Sequence, residues 1–371
     1  MSTRPSSGGG TFRLSGAFIF IDIWNGHPMR CCIAELVALV LLAGPAAAAP
    51  LDIQAINDAQ WRAEKTSKGG VSPIVIRAQV LLDRAHFSPG EIDGKQGDNF
   101  KKAVRAFAID QGLPSTDVLT EELWQKLNST SGDGVVKEYT ITDDDVRGPF
   151  ATRIPARMED MQHLPTLAYT SAREKIAEKF HMSQELLSAL NPRQKFEKAG
   201  DKIVVTDIAA ADLPGKAARI EIDKSTQMLR VFDRDQRILA VYPVTAGSAE
   251  KPAPTGTLKV TGVARNPTYH YKPAYEFKGV RASKPFTIKP GPNNPVGVVW
   301  IGLSREGYGI HGTPDPSKVS KTESHGCIRL TNWDALQLAA AVTKGIPVDF
   351  IGDEQAARDA KAEAIKDRKR R

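Results

Sequence analysis

Apolar residues change their period along this chain. From Ser72 they recur at helical spacing, with Ile76, Val80 and Leu81 on one face. Ala103, Val104, Phe107 and Ala108 repeat the pattern between Asn99 and Gln111. Phe87-Ser88-Pro89-Gly90-Glu91-Ile92-Asp93-Gly94 reads as loop and turn, and Gly112-Leu113-Pro114 stops the second helix. Thr120 caps a last helix holding Leu123, Trp124 and Leu127. A domain this small needs its large apolar groups inside. Leu82, Phe107 and Trp124 are therefore expected in its core, and His86 on its surface. Residues 51–70 are polar and helix-compatible, a packing segment or linker.

Asn128 to Val136 is rich in Ser, Thr and Gly and reads as a linker. Thr142-Asp143-Asp144-Asp145 lacks the pattern and closing Glu of a calcium loop, and reads as a solvated turn. A helix is expected from Ser171 to Phe180. A second, capped by Ser183, runs through Leu190 to Asn191-Pro192, and a strand closes the segment at Gly200 to Val205.

Past Asp212-Leu213-Pro214-Gly215 the period becomes two. Ile220, Ile222, Met228, Leu229, Val231, Ile238, Ala240, Tyr242 and Val244 mark strands joined by tight turns such as Asp233-Arg234-Asp235-Gln236. Further strands follow at Leu258 to Val263, Val298 to Ile301 and Pro347 to Ile351. Thr331-Asn332 caps a helix to about Lys344, ended by Gly345. Pro267 to Pro295 is long for a structureless connection and reads as a functional flap. Its Tyr269, His270, Tyr271 and Tyr275 either line a groove or fasten the flap. The expected fold is multidomain: a small α-helical domain (72–128), a small α+β module (139–210) and a mainly-β domain (216–352).

Length and charge fit this division. Two or three domains suit 371 residues. The net charge of +7 is uneven, with seven basic and three acidic side chains among the last fourteen residues. The tail 353–371 reads as a solvated helix end or disorder. Near the start, Arg30 precedes an apolar run, Leu36 to Ala43, and Ala46 to Ala49 offers small-residue cleavage sites. Residues 1–49 thus read as a signal peptide for export, with Met29 a possible alternative start. The run is too short for a membrane span. A basic exported surface could contact anionic wall polymers or membrane, and export argues against nucleic acid. No Rossmann or P-loop fingerprint occurs, so neither nucleotide nor another cofactor is expected.

The candidate chemistry converges on one stretch. Cys31 and Cys32 fall in the leader, which leaves Cys327 as the single thiol of the exported chain. A lone thiol in an oxidising compartment is a liability unless its chemistry is used. The thiolate attacks, so a nucleophilic cysteine needs an imidazole to take its proton and a third group to orient that imidazole. His311 and His325 are both candidate bases. Gly326 permits close backbone approach, and amides around His325, Gly326 and Cys327 could face a developing oxyanion. The same His311, His325 and Cys327 could alternatively hold zinc with an open position.

Gly309-Ile310-His311-Gly312-Thr313 and Ser324-His325-Gly326-Cys327-Ile328-Arg329-Leu330, in which Gly312 to Glu323 makes a twelve-residue loop, resemble the signature of the L,D-transpeptidase (YkuD-like) catalytic domain. Pro254-Thr255-Gly256 is similar to a turn of the same family. The resemblance implies a β-sandwich with a short helix after the cysteine motif, and no metal. It implies that Cys327 accepts the acyl group, that His311 is its base and that the Gly312 carbonyl orients His311. His325 and Gly326 complete the catalytic set, and Arg329, Ser324 and Tyr308 are expected to contact substrate. The implied reaction releases D-alanine from a peptidoglycan stem tetrapeptide and passes the acyl group to another stem, a 3→3 cross-link. Water or a protein lysine as acceptor would make a carboxypeptidase or an anchoring enzyme. Residues 72–128 resemble a peptidoglycan-binding domain through Ile92-Asp93-Gly94, Ala103-Val104-Arg105-Ala106-Phe107 and Gly112-Leu113-Pro114. Residues 139–210 resemble a degenerate LysM module through Leu190-Asn191-Pro192 and Gly200-x-x-Ile203-Val204-Val205. Together these imply a periplasmic or envelope protein with peptidoglycan stems and glycan as partners. A non-catalytic wall-binding protein is the alternative from another class.

Overall fold

The computed structural model describes residues 51–62, 70–131, 134–208, 212–248, 251–275, 280–322, 324 and 326–352. The expected leader, the charged tail and His325 lie outside them.

Four helices open the described residues: α1 Ile53–Asn57, α2 Pro73–Arg84, α3 Asp98–Asp110 and α4 Glu121–Asn128. Pro73 sits where a helix needs no amide donor, and Thr120 Oγ1 accepts from the Leu123 amide. Gly112, at φ +70°, takes the left-handed turn that ends α3. Leu82, Phe107 and Trp124 are buried between the helices, as their size requires.

Next comes β1 Val136–Thr140, then α5 Asp143–Val146, a 3-10 turn Met158–His163, α6 Ala172–Lys179, α7 Gln184–Leu190 and β2 Lys202–Thr206. β1 and β2 pair antiparallel. Ser171 and Ser183 cap α6 and α7 through their hydroxyls. Asn191 accepts from the Val204 amide and donates to the Leu187 and Val204 carbonyls, which ties α7 to β2. The turn at Thr142–Asp145 is solvated at its first three residues and departs from that reading at the fourth. It is a capping box on α5, and Asp145 is fully buried. Tyr139 and Lys179 hydrogen-bond the Asp145 carboxylate, which compensates its burial.

The remaining strands are β3 Arg219–Asp223, β4 Met228–Phe232, β5 Ile238–Pro243, β6 Thr245–Ala246, β7 Gly256–Arg265, β8 Tyr269–Tyr271, β9 Phe286–Ile288, β10 Val299–Leu303, β11 Gly309–His311, β12 Ile328–Arg329 and β13 Pro347–Ile351, with α8 Asn332–Ala341 before the last. Nine of them form one sheet in the order β5-β4-β3-β13-β7-β10-β11-β12-β6. The first part of β7 pairs with β13 and the rest with β10, so this long strand joins two half-sheets. Their apolar faces meet in one core with α8, where Ile220, Leu229, Val231, Ile301, Ile310, Ile328 and Leu338 are buried. β8 and β9 form the expected flap as a hairpin.

The N-terminal elements are welded to this sheet. His86 and Ser88 exchange backbone hydrogen bonds with Val241 of β5. Ser88 Oγ donates to Asp334 of α8, and His181 stacks on Trp333. His86 is thus an interface residue, not a surface one: its positive φ turns the chain onto β5 and its ring faces Gln337. α8 ends at Ala341, before Lys344, because Val342 is extended.

Candidate active site

β11 and β12 run parallel, with Ile310 beside Ile328 and His311 beside Arg329. Both isoleucines point into the core. Alternation therefore sends His311, Arg329 and Cys327, two residues before Arg329, to the opposite face. All three line one cavity of about 710 Å³, with Tyr308 and Ser324.

His311 is 4% exposed and lies against Trp300. Its Nδ1 is 2.6 Å from the Gly312 carbonyl oxygen. A carbonyl only accepts, so Nδ1 carries the proton and Nε2 keeps its lone pair. Burial pushes the imidazole pKa down to about 3; the Arg329 charge adds to this and the Gly312 hydrogen bond opposes it. Burial also pushes the Cys327 thiol up, against a Gly309 backbone hydrogen bond and the Arg329 charge. Burial thus favours the thiol form of Cys327 and the neutral form of His311. Cys327 is the single cysteine among the described residues and is partly exposed, its Sγ 3.5 Å from the Gly307 carbonyl.

Gly326 has φ +99°, and a Cβ there would stand 3.0 Å from the Tyr308 ring. Both facts favour glycine at this turn. Ser324 is buried, and its hydroxyl is engaged by the backbone. It donates to the Cys327 carbonyl at 2.7 Å and accepts from the Gly247 amide at 2.7 Å. It fastens the cysteine loop to the segment after β6. The loop between the two motif halves is strapped to α3, where Asn99 donates to the Val319 carbonyl and Lys102 meets Ser320.

The flap's aromatic side chains divide between two surroundings. Tyr269 and His270 line the cavity, whereas Tyr271 is buried with Leu167, Phe286 and Ile288. The backbone of Tyr275 lies in a 3-10 turn, and its side chain is outside the described ones. Trp300, Pro295, Val296 and Met158 also line the cavity and were not singled out from sequence. Trp300 had a signal, since it alternates with the buried Val299 and Ile301. Met158 had none, because it arrives from the 3-10 turn before α6.

Residues 217–349 match the L,D-transpeptidase catalytic domain (YkuD), and residues 71–127 match a peptidoglycan binding domain. The candidate L,D-transpeptidase YkuD of Bacillus licheniformis is 32% identical over 180 residues, 48% of this chain and 92% of that protein. The candidate L,D-transpeptidase YqjB of Bacillus subtilis is 34% identical over 149 residues, 38% of this chain and 76% of that protein. The solved L,D-transpeptidase 3 of Mycobacterium tuberculosis overlaps in part, with TM-score 0.31 and 19% identity over 41% of this chain and 75% of that one. That overlap adds nothing to the assignment.

The chain belongs to the YkuD family of L,D-transpeptidases, which are cysteine-dependent acyltransferases. It is multidomain, with an α-helical peptidoglycan-binding region ahead of a mainly-β catalytic domain.

Proposed function

We propose that Cys327 is the acyl-accepting nucleophile and His311 its general base, acting on peptidoglycan stem peptides. The observation that carries this reading is the hydrogen bond from His311 Nδ1 to the Gly312 carbonyl, which leaves the Nε2 lone pair free in the cavity that His311 and Cys327 line. Nε2 takes the thiol proton as Sγ attacks the carbonyl joining an L- to a D-centre. The amide bond breaks, and Nε2 returns the proton to the leaving D-alanine amine. A stem amine then attacks the thioester, passes its proton to Nε2, and Sγ leaves as the thiol. Backbone amides at Gly326 and Cys327 would stabilise the oxyanion, and removing one such donor elsewhere costs about 3 to 4 kcal/mol. His325 would complete this loop. Arg329 suits a substrate carboxylate, and Tyr308 would bound the same subsite.

The boundaries follow from the same reading: a helical domain 72–128, a LysM-like module 139–210 and a catalytic domain 216–352. The antiparallel pairing of β1 with β2 around α6 and α7, with α5 and the 3-10 turn inserted after β1, supports a LysM-like module. With the peptidoglycan-binding region it would hold the enzyme on the wall, in the envelope, after cleavage of residues 1–49. Incubating the full chain with purified disaccharide-tetrapeptide tests the reading. Mass spectrometry should find free D-alanine and 3→3 dimers, lost in Cys327→Ala. Free tripeptide alone would make water the acceptor, and no product of either kind would refute the assignment.

A further inference from the structure

The catalytic histidine is backed by a residue that no motif position assigned. Asn332, first residue of α8, is 1% exposed. Its carboxamide is wedged between two glycines. A Cβ on Gly312 would lie 2.2 Å from Asn332 Oδ1, and a Cβ on Gly297 would lie 2.0 Å from it. The same Oδ1 accepts from the Val298 amide at 3.2 Å. Thus Asn332 presses on the residue whose carbonyl holds His311, and pins the chain entering β10.

The carboxamide has one available orientation. Nδ2 donates to both carboxylate oxygens of Glu178, at 3.1 and 3.2 Å, and to the Pro292 carbonyl at 3.2 Å. The Pro292 carbonyl only accepts and the Val298 amide only donates, so a flipped amide would lose both of these bonds. Glu178 is on α6, in the module before the catalytic domain, and Tyr169 Oη donates to it at 3.0 Å. The side chain of Asn293 reaches Glu174 on the same helix. The N-terminal module thus supplies the far end of a path to the base made of hydrogen bonds and one packing contact, Asn332 on Gly312.

We propose that Asn332 is a positioning residue for His311, fixed in place by Glu178. Glu178 orients Asn332, Asn332 holds Gly312, and the Gly312 carbonyl holds the imidazole with Nε2 toward the thiol. This rests on His311 serving as the base of Cys327. The α6 module then has a part in the chemistry, whatever it binds.

The test reads Cys327 directly and needs no peptidoglycan substrate. Iodoacetamide alkylation of Cys327 in the full chain is followed by peptide mass spectrometry near neutral pH. Asn332→Ala should slow alkylation about 10- to 100-fold, the range for loss of a supporting contact. The rate should approach that of His311→Ala, and Asn332→Ala should add nothing in a His311→Ala background. The Nδ1–H resonance of His311 should broaden or disappear in the variant. Should Asn332→Ala not fold, Glu178 carries the test. Glu178→Leu should slow alkylation, while Glu178→Gln, which keeps an acceptor oxygen, should restore most of the rate. A wild-type rate in folded Asn332→Ala, additive effects with His311→Ala, or equal rates in Glu178→Leu and Glu178→Gln would overturn the proposal. If His311→Ala itself alkylates at the wild-type rate, the assignment of His311 as base fails first.

Discussion

Trp300 and His311 face each other across β10 and β11, their rings 5.6 Å apart and 16° from parallel. The indole covers one face of the imidazole and keeps water from it. That cover is a direct reason for burial to push the His311 pKa to about 3. Trp300→Ala should let water in and move the imidazole up toward its ordinary value of 6.5. An NMR titration of the histidines would follow this. Cys327 alkylation should also slow by about tenfold as the ring gains freedom. An unmoved titration would show that Trp300 is not the cover.

Gly312 has no room for a side chain. In Gly312→Ala the new methyl carbon would stand 2.2 Å from Asn332 Oδ1, an atom held by the Val298 amide. Overpacking of this kind typically costs about 1–3 kcal/mol. The loss of acyl transfer should exceed what that destabilisation explains, because the carbonyl that orients His311 moves too. Thermal melts and turnover on the same preparation would separate the two effects.

Ser324 offers a sharper division. Ser324→Ala leaves the Gly247 amide and the Cys327 carbonyl short of a partner, which typically costs about 1–3 kcal/mol. A loop role predicts a lower kcat with KM unchanged. A raised KM with kcat unchanged would instead assign the hydroxyl to substrate.

Acid should act on stability through opposed groups. His311 has a folded pKa near 3 against an ordinary 6.5, so its contribution is full above 6.5 and is lost as pH falls toward 3. Burial alone would raise Asp145, but hydrogen bonds from Tyr139, Thr142 and Lys179 hold it at about 2. Its contribution is full above its ordinary 3.8 and is lost as pH falls through 2. Asp334 goes the other way, since burial raises it to about 7 despite bonds from Thr331 and Ser88. Its folded form keeps the proton, so its contribution is present below 3.8 and lost as pH rises through 7. Asp334→Asn should therefore gain melting temperature on the wild type between about pH 4 and 7. A constant difference across that window would contradict the burial of Asp334.

Local signals carried much of this molecule. Helical spacing marked α2, α3 and α4, alternation marked the strands of the large sheet, and Thr331 announced α8. The linear motif brought Cys327, His311 and Arg329 to one place because β11 and β12 lie side by side. The rest is non-local. β1 finds β2 only after three α-helices and a 3-10 turn intervene, and the acidic run at Asp143–Asp145 gave no hint that Tyr139 and Lys179 would bury one of its members. His86 reads as a polar surface residue until β5 arrives beside it. Glu178 and Asn332 meet across 154 residues, so their pairing had no periodicity to betray it.

The central claim is a covalent one. The full chain, mixed with disaccharide-tetrapeptide and quenched in acid, should carry a tripeptide thioester on the peptide containing Cys327. That adduct should be absent from Cys327→Ala and scarce in His311→Ala. Release of D-alanine with no adduct at Cys327, or undiminished release by Cys327→Ala, would contradict it.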